Sequence, residues 1–234
     1  MIHTIETPLK KIDRIFHLAD IHIRLYKRKD EYQEVFKTLY EDIKNRIQEN
    51  DIIIVVGDIV HAKTEMSPEM INLASDFLKN LSDMAPTIVI AGNHDANLNN
   101  MDRMDAITPI VENIKNNNLI YLKHSGLYKM ANITFSVMSV FEKKEKYKRA
   151  NVITSNTTKI ALFHGPVNNS MTDTGHVIVN DKMEVSFFDG FDMVLLGDIH
   201  KRQNLQEYEI ETMVVEDTEV EEYLEKGWQI EKQK

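Results

Sequence analysis

The feature that most constrains this chain is a repeated one: short runs rich in β-branched and aliphatic residues, most of which end abruptly in Asp, His, Asn or Gly. The runs lie at residues 12–18, 52–56, 87–91, 133–140, 159–163 and 193–196. Runs of this length and composition predict strands buried on both faces, the kind from which parallel sheets are built. Helical spacing fills the gaps between the early runs. Tyr32, Val35, Phe36, Leu39, Tyr40, Ile43 and Ile47 share one face of a helix expected over about residues 30–49. A second helix opens with Ser67 as N-cap and Pro68 at its first position, and turns Met70, Ile71, Ala74, Phe77, Leu78 and Leu81 inward. Residues 119–140 read as a strand and a hairpin, with turns at Ser125-Gly126 and at Ala131-Asn132. The polar stretches 141–158 and 166–181 read as surface loops.

The expected class is therefore α/β. The chain's 234 residues suit one substantial core, expected over residues 1–205, with a short acidic appendage over 206–234. Within that appendage, 208–215 reads as a strand, 217–226 as an acidic helix closed by Gly227, and 228–230 as a last strand with Trp228 as a packing anchor.

Composition narrows the chemistry. Cysteine is absent, which removes disulfides, thiolate zinc sites and cysteine nucleophiles, so a metal would bind through His, Asp, Asn or Glu. No apolar run is long enough to span a bilayer, and the N-terminus lacks the basic and apolar segments of a secretory signal, so a cytoplasmic protein is expected. The abundance of Asn, Lys and Ile fits an AT-rich phage or viral genome, in which case the location is the host cytoplasm. A net charge of −9 argues against binding nucleic acid through broad phosphate neutralisation. Divalent cations held at one point would reverse that balance locally.

Five clusters lie at the ends of the apolar runs: Asp20-Ile21-His22, Gly57-Asp58 with His61, Gly92-Asn93-His94-Asp95, His164-Gly165, and Gly197-Asp198-Ile199-His200. In α/β sheets the carboxyl ends of the strands meet at one crevice, so five distant segments can deliver side chains to one place. Gathering Asp and His there without a cation would cost free energy, because the carboxylates lose solvation and repel one another. In an extended Asp-x-His, alternation puts both side chains on one face, where both grip one ion. Asp58 has two oxygens with which to bridge two ions, and Asn93 and His164 suit the second. A pair of ions roughly 3.5–4 Å apart activates water and stabilises a phosphoryl displacement. His94, next to a ligand, would turn toward the leaving group.

These residues, in this order, resemble the calcineurin-like phosphoesterase superfamily: D-x-H, G-D, G-N-H-D, H-G and a closing G-x-x-H. The resemblance covers about residues 12–205. It implies two packed mixed β-sheets flanked by helices in a four-layer arrangement, and metal-dependent hydrolysis of phosphomonoesters or phosphodiesters. It also implies two divalent ions, manganese foremost, with magnesium or another divalent ion as alternatives. One would be held by Asp20, His22, Asp58 and His200, the other by Asp58, Asn93, His164 and Asp198, with His94 protonating the leaving group. The stretch Gly57-Asp58-Ile59-Val60-His61-Ala62-Lys63 departs from the G-D-x-x-D-R-G of protein phosphatases. With the opening F-H-L-A-D-I-H-I, it is similar to SbcD-type nucleases and phage recombination nucleases, which act in DNA recombination and repair. His61 would then orient the DNA backbone or His94. Partners implied are DNA, an SbcC-like ATPase subunit and a second copy of the chain.

Two departures qualify the resemblance. The closing motif is usually G-H-x-H, and Asp198 stands at its first His; a carboxylate oxygen still suits manganese or magnesium but makes the site more negative. After that motif, nucleases of this type continue with a Pro-Gly-Ser strand pair, a DNA-capping domain and an ATPase-binding segment. Here an acidic tail follows Asn204, so that module is missing, supplied by another chain, or not needed. Two alternative functions follow: hydrolysis of phosphomonoesters or small phosphodiesters at the same centre, and a catalytically impaired subunit that binds DNA or an ATPase. Arg24, Lys27, Arg28 and Lys29 follow the first cluster and are candidate phosphate contacts at its rim. The run 142–149, EKKEKYKR, is a weaker candidate for tracking a phosphate backbone, and its alternating charges fit a solvated loop better. His17 is expected to be a hydrogen-bonded core residue, and His3, His124 and His176 to lie in loops.

Overall fold

The computed structural model describes residues 1–24, 29–64, 66–98, 100, 103–172, 174–179, 183–200, 203 and 205. The chain divides into two units, Met1–Gln203 and Asn204–Lys234, and every element below belongs to the first. The elements expected in the tail, with Trp228, lie outside the described residues, as do Lys27 and Arg28.

Two sheets form the unit. In the first, β2 (Ile15–Leu18), β3 (Ile52–Val56), β4 (Thr87–Ile90) and β5 (Leu119–Tyr121) pair in that order and are parallel throughout. In the second, β1 (Ile2–Thr4), β6 (Gly126–Met130), β7 (Ile133–Met138), β8 (Thr158–His164) and β9 (Met193–Gly197) pair in the order β1-β6-β7-β8-β9. Only β6 and β7 are antiparallel there. The first sheet carries helices on one face: α1 (Lys29–Arg46), α2 (Pro68–Met84) and α3 (Ile107–Asn113).

Strand β3 shows why the sheets stack. All five of its residues are buried. Ile53 and Val55 face Phe36, Ile43, Phe77, Leu78 and Leu81 of the helices, while Ile52, Ile54 and Val56 face Phe135, Val137 and Leu162 of the second sheet. The period of two thus feeds one strand into two cores. Truncating a residue such as Ile54 to Ala would cost about 2–5 kcal/mol. α2 begins as its residues dictate, with Ser67 Oγ accepting the Met70 N–H at 3.3 Å and Pro68 in the first turn.

Several details differ from the sequence expectations. The first strand starts at Ile15 rather than residue 12, because Ile12 is engaged elsewhere: its N–H donates to Asn132 Oδ1 at 2.7 Å and its carbonyl accepts from Asn132 Nδ2. Ala131-Asn132 is the turn between β6 and β7, with Ala131 at φ 51°, whereas Ser125-Gly126 makes no hairpin because β5 and β6 belong to different sheets. β1 and α3 were not foreseen. The face of the second sheet turned away from the first is covered by the loop 141–157, whose Lys148 carbonyl accepts from Ser136 Oγ at 2.6 Å. That loop contains short 3-10 turns at Lys144–Lys146 and Ala150–Val152, so the described fourth layer is built of turns rather than long helices. His3 lies in β1, stacked on Tyr128, rather than in a loop. His17 sits on edge strand β2 and is exposed rather than core, with its ring hydrogen-bonded to the Leu196 backbone.

Candidate metal centre

β2, β3 and β4 run parallel in the first sheet and β8 and β9 run parallel in the second, and each ends in, or within two residues of, one of the five clusters. The backbone there is unusual. Asp20, His22, Asp58, Asp198 and His200 have φ of 57°, 48°, 52°, 89° and 56°, a left-handed conformation that costs a non-glycine residue free energy and gathers at functional sites. The extended geometry expected for Asp-x-His is therefore incorrect. Both Asp20-Ile21-His22 and Asp198-Ile199-His200 place a left-handed residue at each end of the triplet, and it is this bend, rather than strand alternation, that brings Asp and His to the same place.

The two triplets face each other. Asp198 N–H donates to Asp20 Oδ1 at 2.8 Å, and the Nε2 atoms of His22 and His200 are 2.9 Å apart. Asp58 lies between them and His164: its Oδ2 is 3.5 Å from His22 Nε2 and 3.2 Å from His164 Nε2. His164 Nε2 is also 3.0 Å from Asn93 Oδ1 and 3.9 Å from Asp198 Oδ1, while its Nδ1 donates to the Val56 carbonyl at 2.7 Å. That last bond orients the ring with Nε2 toward the carboxylates, as backbone acceptors do for metal-binding imidazoles. Donor atoms of Asp20, His22 and His200 lie within 4.8 Å of one another, as do those of Asp20, Asp58 and His164, and those of His22, His61 and His94.

Three glycines make this closeness possible. A Cβ on Gly92 would collide with Asp58 Oδ1, one on Gly197 with the Val56 carbonyl, and one on Gly57 with the His164 ring. Gly57 also has φ 78°. The glycines at 57, 92 and 197 thus leave space for a neighbouring donor or backbone carbonyl, and Gly57 serves as a turn former as well.

Electrostatics mark the site as strained without positive charge. Burial raises Asp20 and Asp198 above the usual carboxylate range and pushes His22 down to about 4. Burial also works against a charged His164, yet the hydrogen bond and charge of Asp58 push it up to about 9; the same contact and the His94 N–H, outweighing burial, hold Asp58 below its ordinary value. Three carboxylates, one amide oxygen and three imidazoles with no thiolate form an oxygen-rich mixed donor set suited to divalent ions such as manganese, magnesium or zinc. The residues present therefore fit a pair of divalent ions.

Beside the donors stand His94 and His61. His94 N–H donates to Asp58 Oδ1 at 2.9 Å, and its ring Nδ1 donates to the His61 carbonyl at 2.5 Å. The His61 ring stacks on His94 and places its Nδ1 3.5 Å from Nδ1 of His22. Arg24 is exposed two residues beyond His22. One residue inside the motifs received no role from sequence reasoning. Asp95 is fully buried and accepts from the N–H groups of Ile59, Val60 and Gly92 at 3.2, 2.9 and 2.9 Å, tying the loop after β3 to the loop after β4; burial pushes it up to about 6. Its place, two residues after Asn93, was the available signal. Lys63 Nζ also approaches, 3.4 Å from the Asn93 carbonyl.

Comparison with known proteins agrees with this geometry. The family model described as calcineurin-like phosphoesterase matches residues 13–202. The chain is 48% identical over 206 residues to uncharacterized protein R555 of Acanthamoeba polyphaga mimivirus, a match covering 84% of this chain and 15% of that protein's length. Among the described residues no helix is long and apolar enough to cross a membrane. The chain belongs to the calcineurin-like phosphoesterase family, whose members hydrolyse phosphoesters with divalent metals.

Proposed function

We propose that this chain is a metal-dependent DNA phosphodiesterase of the SbcD type, acting in DNA recombination, repair or replication in the cytoplasm of a host cell. In this reading one ion is held by Asp20, His22, Asp58 and His200 and the other by Asp58, Asn93, His164 and Asp198, with manganese as the working metal. When bound, the two ions supply an activated water and charge stabilisation for the phosphoryl group. The chain's own residues do the rest. Asp58 orients His94 through the backbone N–H, and the His61 carbonyl holds Nδ1, so that Nε2 of His94 is the nitrogen left to deliver a proton to the leaving oxygen.

The observation that carries this reading is His61. Where phosphatases of this superfamily carry G-D-x-x-D-R-G, this chain places an imidazole that stacks on His94 and reaches His22. A backbone carbonyl rather than a carboxylate thus holds the His94 ring and leaves Nε2 free to face the leaving group. An SbcC-like ATPase, or a second copy of the chain, would hold the duplex against the centre. The test compares manganese-dependent degradation of duplex DNA with hydrolysis of p-nitrophenyl phosphate, with and without such an ATPase. Degradation of DNA supports the reading, whereas turnover of the monoester alone would assign the chain to small phosphate esters.

A further inference from the structure

We propose that the loop 141–149 is a docking track for the phosphate backbone of DNA, leading away from the metal centre along the second sheet. The inference rests on the reading of the chain as a DNA phosphodiesterase and specifies how the substrate is held. Over residues 142–149 the sequence has five Lys or Arg against two Glu, in a protein whose net charge is −9. The structure shows why the two acids count for little. Glu142 is turned inward, accepting from the Ser125 N–H at 2.5 Å and pairing with Lys146 at 3.0 Å, which leaves Glu145 as the one other acid of the run. Lys143, Lys144, Lys148 and Arg149 are exposed, and none makes an ion pair with a described residue.

The loop's position links it to the centre. In the parallel pairing of β7 with β8, Met138 is level with Phe163, so Ser139, where the loop leaves the sheet, is level with His164. Tyr147 packs edge-on against Phe163, the residue before His164, and its hydroxyl donates to the Ser139 carbonyl at 3.0 Å. From there the chain runs down the outer face to Lys148, whose carbonyl is level with Ser136, roughly 10 Å from the carboxyl edge at about 3.3 Å per residue. Two of the cations are held in place by one ring: Lys144 Nζ lies 5.5 Å, and Arg149 Cζ 4.5 Å, from the centroid of Phe187. Phe187 is buried, so it orients the cations rather than stacking on a base. The arrangement offers ordered charges on an exposed loop, which is the chemistry of sequence-independent phosphate contact.

The test uses the full chain and a short fluorescein-labelled DNA duplex, with calcium in place of manganese and binding read by anisotropy across a salt series. A triple variant, Lys143→Gln, Lys144→Gln and Lys148→Gln, removes three charges, spares Arg149 and touches no residue of the centre. The expected result is at least a tenfold loss of affinity, with the slope of log K against log salt shallower by about 3, since each phosphate contact contributes about 0.9. Hydrolysis of bis-p-nitrophenyl phosphate stays at the wild-type rate. The control, Lys37→Gln, Lys44→Gln and Lys79→Gln on α1 and α2, changes the net charge equally and should leave binding unaltered. Equal loss in the control, an unchanged slope in the loop variant, absence of DNA binding by the wild type, or loop-dependent binding to phosphatidylserine vesicles without DNA binding would each overturn the proposal. Loop-dependent DNA binding without manganese-dependent cleavage would instead leave the track standing and remove the phosphodiesterase reading.

Discussion

The Nε2 atoms of His22 and His200 stand 2.9 Å apart, although 178 positions separate the two residues in the chain. Two neutral imidazoles can share one proton at that distance, or both lone pairs can face one cation. The adjacent Asp20 and Asp58 carboxylates favour the cation. Binding of ions by the folded chain alone stabilises it, by about 2.7 kcal/mol at a hundredfold excess over the dissociation constant. Manganese-loaded protein should accordingly contain about two ions per chain by elemental analysis. Removal of the metal with a chelator should lower Tm by about 5–10 °C in calorimetry. A metal content near zero after loading would contradict the centre.

His94 should separate catalysis from metal holding. Its ring is fixed by the His61 carbonyl and its N–H by Asp58, but it is absent from the two donor groups that contain Asp20. His94→Ala should retain about two ions per chain and lose roughly 10²–10⁴ in kcat. Parallel metal analysis and steady-state kinetics make the distinction.

Gly92 provides a steric test of the same centre. A Cβ at this position would meet Asp58 Oδ1 and the Asp58 backbone nitrogen, so Gly92→Ala must displace the carboxylate that stands between His22 and His164. The variant should bind manganese at least tenfold more weakly by isothermal titration, and its apo form should melt lower as well. Unaltered metal affinity would show that the collision is relieved elsewhere.

Asp105 governs acid stability at a distance from the centre. Buried at the start of α3, it caps the helix by accepting from the N–H groups of Ile107 and Thr108 at 2.9 and 2.7 Å, and it pairs with Lys123 at 2.8 Å. Burial alone would raise its carboxyl, but Lys123 and Thr108 hold it below the ordinary value. A depressed folded-state pKa means that the stabilisation is complete above the unfolded value, about 3.9, and is lost as pH falls through the lower folded value. Asp105→Asn should cost about 1–2 kcal/mol at neutral pH. Urea titrations should show the gap between variant and wild type closing only below about pH 4.

Much of this architecture is legible in the sequence. Ile52, Ile54 and Val56 alternate with Ile53 and Val55, and such a run has no polar face to offer water, so it has to be an inner strand. Ser67-Pro68 announces α2 because its cap chemistry is local. β1 and α3 were not legible, since three exposed residues and a seven-residue helix capped by Asp105 carry almost no periodic signal. His17 was misjudged because a strand position does not reveal whether the strand lies at an edge.

The sequence by itself determined which residues end each strand and which side chains at those ends can donate to a cation. Those are local properties of short apolar runs and the polar residues that stop them. Only the tertiary structure decided how the donors meet. The left-handed turns at Asp20, His22, Asp58, Asp198 and His200 and the gap at Gly92 depend on neighbouring strands brought together by the fold. The gaps at Gly57 and Gly197 and the approach of His22 to His200 require two sheets packed against each other. Conformations that cost an isolated segment free energy persist there because the surrounding core and hydrogen bonds leave them no alternative.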